Sequence, residues 1–126
     1  MADQKKEFTK INQLRPWNSS GLNLTVKVIN AKTTQRGGRN QARFAECLVG
    51  DETGMIIFSA RNDQVDMAKE GNTLDLSNAR IDMFKGSMRL VVDRFGRVEV
   101  VKPASFSVDE SNNISLIEFE RIDVFV

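Results

Sequence analysis

The sequence predicts an all-β fold: a five-stranded Greek-key barrel with one short helix between strands 3 and 4, and extra segments at both ends. Three observations carry that prediction. Leu22, Leu24, Val26 and Val28 alternate with polar residues, the period of two that marks a half-buried strand. Short polar turns containing glycine recur between apolar runs, at Gly50-Asp51-Glu52-Thr53-Gly54, Lys85-Gly86 and Arg94-Phe95-Gly96. One short helical pattern interrupts the series, opened by Asn62 or Asp63 as a cap and stopped by Gly71.

In chain order, the first strand runs from Leu22 to Val28. The polar stretch Thr33 to Gln41, with Gly37-Gly38, reads as a loop. A second strand extends from about Arg43 to Val49, and a third, rich in β-formers, from Met55 to Arg61. In the third, Ile56, Phe58 and Ala60 point inward, leaving Ile57, Ser59 and Arg61 outward. The helix presents Val65 and Ala68 on one face. The fourth strand, Thr73 to Met83, changes phase: Leu74 and Leu76 share one parity, Ala79, Ile81 and Met83 the other. A bulge or sharp bend near Ser77-Asn78 accounts for the change, and sets Arg80, Asp82 and Phe84 on one side together. Lys85-Gly86 turns the chain into Met88 to Val92, and Arg94-Phe95-Gly96 into Arg97 to Val101, which Pro103 closes. The order of three strands, a short helix and then two strands, read as five curled antiparallel strands, is that of the oligonucleotide/oligosaccharide-binding (OB) barrel, whose corners need bulges such as the one in the fourth strand.

These boundaries give an N-terminal extension (1–21) packing on the barrel, an OB domain (22–102) and a C-terminal extension (103–126). Trp17, after Pro16, is expected to hold the first extension against the barrel. Asp109 to Asn113 reads as a polar linker, and Ile114 to Val126 as a candidate extra strand, since its apolar residues alternate imperfectly.

At 126 residues, 40% hydrophobic and 28% charged, the chain suits one globular domain. No apolar run approaches the roughly 18 to 20 residues of a membrane span, and the start, MADQKKEFTK, lacks a secretory-type apolar stretch. Cys47 is the only cysteine, so no intrachain disulfide forms; this suits a reducing intracellular compartment, nucleus or cytoplasm. Within its strand, Cys47 is expected to be a small buried hydrophobe.

The absence of histidine removes the commonest general base and metal ligand together. No Ser-His-Asp triad or typical zinc site can be assembled, and no phosphate- or dinucleotide-binding glycine motif is present. The carboxylates Asp51, Glu52, Asp63, Asp66 and Asp93 show no catalytic pairing, and Asp51 and Glu52 are expected to be solvated in their turn. The expectation is a non-enzyme with no cofactor, no metal and no membrane partner.

Four segments carry a family resemblance: Leu22-Asn-Leu-Thr-Val-Lys-Val28, Val49-Gly-Asp-Glu-Thr-Gly54, Ile81-Asp-Met-Phe-Lys-Gly86 and Met88-Arg-Leu-Val-Val92. Their order and spacing, over about residues 10 to 102, resemble single-OB proteins related to the OB-fold component of the sensor-of-single-stranded-DNA complex, and most nearly small plant proteins of that pattern. The resemblance implies an OB fold and single-strand binding without catalysis. It also implies stacking aromatics on the third, fourth and fifth strands. The matching positions here are Arg61, Arg80 and Val91, with Phe84 keeping a ring. Arginine stacks its planar guanidinium on a base and pairs with phosphate, so the change either converts a ring-based surface into a cationic one or weakens binding.

With a net charge of only +1, any electrostatic case rests on where the charges sit. Lys32, Arg36, Arg39 and Arg43 surround the loop between strands one and two with no acidic residue among them. They either contact phosphates beside the ligand groove or serve solubility. A second group is Arg61, Arg80, Phe84, Lys85 and Arg89, in which Phe84 either stacks a base or lids the barrel end. Arg94 and Phe95 form a third, which either extends the groove or is a plain hairpin turn with a packed ring. The expected partner is single-stranded DNA or RNA, bound with low sequence specificity. The alternative is a protein-interaction module or self-association through the apolar segment 114–126.

Overall fold

The computed structural model describes residues 7–17, 20–35 and 43–119. Six strands and one helix follow in order: β1 (Leu22–Gln35), β2 (Arg43–Asp51), β3 (Gly54–Arg61), α1 (Asp63–Met67), β4 (Thr73–Phe84), β5 (Ser87–Val91) and β6 (Arg97–Val101). The sheet runs β1-β2-β3-β5-β4 and returns to β1, closing a ring of five strands, with β6 paired to the outer edge of β4. This is the OB barrel.

Closure depends on two bends. The first half of β1 pairs with β4, from Leu22 opposite Ala79 to Lys27 opposite Thr73. After an irregularity between Val28 and Asn30, its second half pairs with β2 out to Gln35 opposite Arg43. The strand therefore continues seven residues beyond its predicted end, because pairing with β2 extends the polar stretch into a hairpin arm. The second bend is in β4 at Asn78, whose φ of +51° is a conformation asparagine tolerates better than most residues. Its N–H donates to Asn23 Oδ1 and its side-chain amide to the Phe95 carbonyl. As predicted, the inward parity switches there, burying Leu74 and Leu76 before it and Ala79 and Ile81 after it. Met83 departs from the pattern: one residue from the end of β4, where little of the barrel wall is left to cover it, its side chain is exposed.

Two further features differ from the sequence reading. Arg97–Val101 is a sixth strand outside the ring. The closing β3–β5 pair is parallel rather than antiparallel, because α1 and β4 return the chain to the side from which β3 started. Only Ile57–Arg89 and Phe58–Leu90 pair across this seam. Phe58, Leu24, Val26, Ile56, Leu74, Leu76, Met88 and Leu90 fill the interior, each contributing about 1.5 to 3 kcal/mol on burial. Val65 and Ala68 are buried beneath α1, as their spacing predicts, although the Asn62 side chain makes no capping bond to the helix.

The terminal segments dock on the β2–β3 turn. Ile11 and Leu14 are fully buried there, whereas Trp17, expected to do that packing, is 78% exposed. Ile11 opens the 3-10 turn Ile11–Gln13 and Leu14 follows it directly, whereas Trp17 lies further on. Asp51 is a second correction: it is buried, not solvated. Its carboxylate accepts from Ile11 N–H at 3.0 Å and from Thr53 N–H and Oγ1 at 2.8 and 2.6 Å.

The C-terminal segment is a strap, and its described part is not the extra strand suggested by alternation. Ile114–Leu116 is a 3-10 turn, and Glu118 makes a single bridge to Ser87. Residues 120–126 lie outside the described residues. Asn112 accepts from Met55 N–H through its carbonyl and donates its amide to the Thr53 carbonyl. Ser115 Oγ accepts from Ile57 N–H at 2.9 Å and donates to the Met88 carbonyl at 2.7 Å. It thereby joins β3 to β5 beside their two-residue seam. Phe119 N–H donates to the Gly86 carbonyl.

Candidate nucleic-acid interface

The outward faces of β2, β3, β4 and β5 form an open groove of about 420 Å³. Its lining includes Phe44 and Glu46 from β2, Ser59 and Arg61 from β3, Asp82 and Phe84 from β4, and Arg89 from β5. Strand alternation places them there. Burying Ala45 and Cys47 turns Phe44 and Glu46 outward, and burying Phe58 and Ala60 does the same for Ser59 and Arg61. The Asn78 bend sets the β4 parity that exposes Asp82 and Phe84.

Two rings in the groove carry cations. The Arg89 guanidinium lies 4.3 Å from the Phe84 ring centre and the Lys85 ammonium 5.5 Å from it. Arg61 lies 5.6 Å from the Phe44 ring centre, directly across the β2–β3 pair. Phe84 is 48% exposed at the end of β4. Lys85 and Gly86 follow with φ of +51° and +82°, the two left-handed residues of a tight hairpin turn.

The structure distributes the sequence-predicted residues unevenly. Arg61, Phe84 and Arg89 meet in the groove, with Lys85 at its rim. Arg89 is also held by Glu46, Nη1 to Oε1 at 2.8 Å. Arg43 does not face the groove. It makes two bonds to Asp66, at 2.8 and 2.7 Å, and lines a separate hollow of about 350 Å³ beside α1. That bonding raises the Arg43 pKa and lowers that of Asp66. Arg80 contacts Asp93, Nε to Oδ2 at 3.3 Å. Lys32 is exposed and paired in register with Glu46. Arg36 and Arg39 lie outside the described residues. Arg94 covers Phe95 at 4.9 Å on the β5–β6 turn, where Phe95 is 71% exposed rather than packed. Val91, where the resemblance implies a stacking aromatic, is buried.

Sequence reasoning missed Phe44. Its signal was parity: once Ala45, Cys47 and Val49 are inward, Phe44 is a large ring on the outward side of an otherwise polar strand end. Cys47 is buried as expected, and burial pushes its thiol pKa up to about 11. Among the described residues, no group of cysteine and carboxylate side chains is placed to hold a metal ion, and no helix is long and apolar enough to cross a membrane.

The model of the family described as single-stranded DNA binding protein Ssb-like, OB fold, matches residues 14–100. An uncharacterized protein of Arabidopsis thaliana is 50% identical over 133 aligned residues, which span 96% of this chain and 86% of that protein. The single-stranded DNA binding protein Ssb of Saccharolobus solfataricus is 34% identical over 83 residues, 64% of this chain and 55% of that protein. The solution structure of a hypothetical Arabidopsis thaliana protein, 46% identical, superposes with a TM-score of 0.80 over 100% of this chain and 94% of its own. The chain belongs to the Ssb-like single-stranded DNA binding protein family and carries its OB fold.

Proposed function

We propose that this chain binds single-stranded nucleic acid in the β2–β3–β5–β4 groove, with low sequence preference and without catalysis. The observation that carries the reading is the pair of outward rings, Phe44 and Phe84, each with an arginine against it. Bases stack on the rings or on the guanidinium planes, and Arg61 and Lys85 contact phosphates. Every base has a π-face, so such contacts scarcely distinguish sequences. The Saccharolobus solfataricus relative, named as a single-stranded DNA binding protein, supports the same reading.

The groove also contains Glu46 and Asp82, which balance Arg61 and Arg89 in formal charge. Stacking therefore contributes most of the affinity, and salt dependence is shallow. With about two or three phosphates neutralised, log K falls against log salt with a slope of about −1.4 to −2.1 for a single strand.

Fluorescence anisotropy of labelled single-stranded DNA and RNA, with a duplex control at two salt concentrations, tests this. The single strands are expected to bind with that slope, the duplex far more weakly, and Arg61→Ala and Phe84→Ala to weaken binding about 5- to 150-fold. No binding at low salt, or equal binding of the duplex, overturns the proposal.

A further inference from the structure

We infer that Phe95, on the β5–β6 turn, is a second base-stacking station outside the groove, so that the chain takes a longer single strand than the groove alone holds. This rests on the groove reading and extends its footprint.

Phe95 reproduces the groove's own constellation: an exposed ring with a guanidinium, that of Arg94, at 4.9 Å. It is the third such ring–arginine pair among the described residues, after Phe44–Arg61 and Phe84–Arg89. The turn has no packing use for the ring, yet holds its backbone at several points. Asp93 Oδ1 accepts from Phe95 N–H at 2.9 Å, and the Phe95 carbonyl accepts from the Asn78 side chain at 3.0 Å. Gly96 is tightly enclosed: a Cβ there would meet the Ser77 carbonyl oxygen at 2.6 Å and the Asn78 carbonyl oxygen at 2.8 Å. Three anchors on the backbone set where the ring is presented, which lowers the entropy lost when a base stacks on it.

A path connects the two stations. Phe84, Asp82 and Arg80 point outward along β4, covering about 13 Å at about 3.3 Å per residue. Arg80 then contacts Asp93 Oδ2, while the other oxygen of that carboxylate holds the Phe95 backbone. A strand leaving Phe84 along β4 passes Arg80 before it reaches Phe95. Since Arg80 contacts Asp93 and Arg97 pairs with Glu99, Arg94 is, among the described residues of the turn, the cation left to meet phosphate.

The test is strand length. Oligothymidylates of about 5 and about 15 nucleotides lie near the two ends of the range that one OB fold occupies. Labelled versions of both are titrated against the wild-type chain, Phe95→Ala and Phe95→Trp. Phe95→Ala is expected to weaken the long oligomer about 5- to 150-fold and to leave the short one within about twofold, whereas Phe95→Trp keeps the wild-type affinity for both. An unchanged melting temperature for Phe95→Ala confirms that the effect belongs to binding. If the short oligomer binds and Phe95→Ala leaves the long one unchanged, or weakens both equally, the second station is overturned and the groove stands. If the wild-type chain binds neither, the groove reading fails and this inference fails with it.

Discussion

The β2–β3 turn with its terminal straps and the groove on the neighbouring strands use polar residues in opposite ways. At the turn, Asp51 and Ser115 are buried and every bond they make is internal to the fold. In the groove, Arg61, Asp82 and Phe84 are exposed, and removing them leaves no buried group without a partner. The difference divides the labour of the molecule. The strap side closes a barrel whose β3–β5 seam has only two residue pairs, so its polar groups cannot be lost cheaply. The groove side makes few demands on folding, so its surface is free to change.

Three substitutions test this division, from the largest expected effect to the smallest. Asp51→Ala removes the acceptor of two backbone N–H groups and a hydroxyl, and frees the leading segment from the turn. It is expected to cost about 3 kcal/mol, read in urea as a lower midpoint at unchanged slope. A loss under about 1 kcal/mol would place the leading segment outside the cooperative unit. Ser115→Ala should cost about 1 to 3 kcal/mol, since it leaves the Ile57 N–H and the Met88 carbonyl without their partner. Its specific mark is faster hydrogen exchange at the Ile57 amide; unchanged exchange there would mean that the seam closes without the strap. Phe84→Ala should change stability by less than about 1 kcal/mol, because half of the ring is already in water. Destabilisation by several kcal/mol would instead make the ring part of the core and remove the contrast.

Much of this contrast is legible in the chain, though not its two most telling residues. The strand series, the switch of parity in β4 and the Lys85-Gly86 turn follow from local patterns. So does the outward display of Arg61 and Phe84, because alternation reports which side of a strand a residue occupies. Asp51 and Trp17 mislead for one reason: each sits beside a turn signal, and local pattern says nothing about which distant segment covers a turn. Arg43 reads as a loop cation beside the groove, yet its guanidinium faces Asp66 on α1, 23 residues further on.

By itself the sequence determined the barrel and the outward display of Arg61 and Phe84. Those depend on composition and on the strand period, which are local properties. Only the tertiary structure decided that Phe44 joins Phe84 in one groove, that Glu46 holds Arg89, that Ser115 closes the seam, and that Phe95 stands exposed rather than packed. Each of these depends on register between strands or on the docking of remote segments, where a shift of one residue would send a side chain to the opposite face.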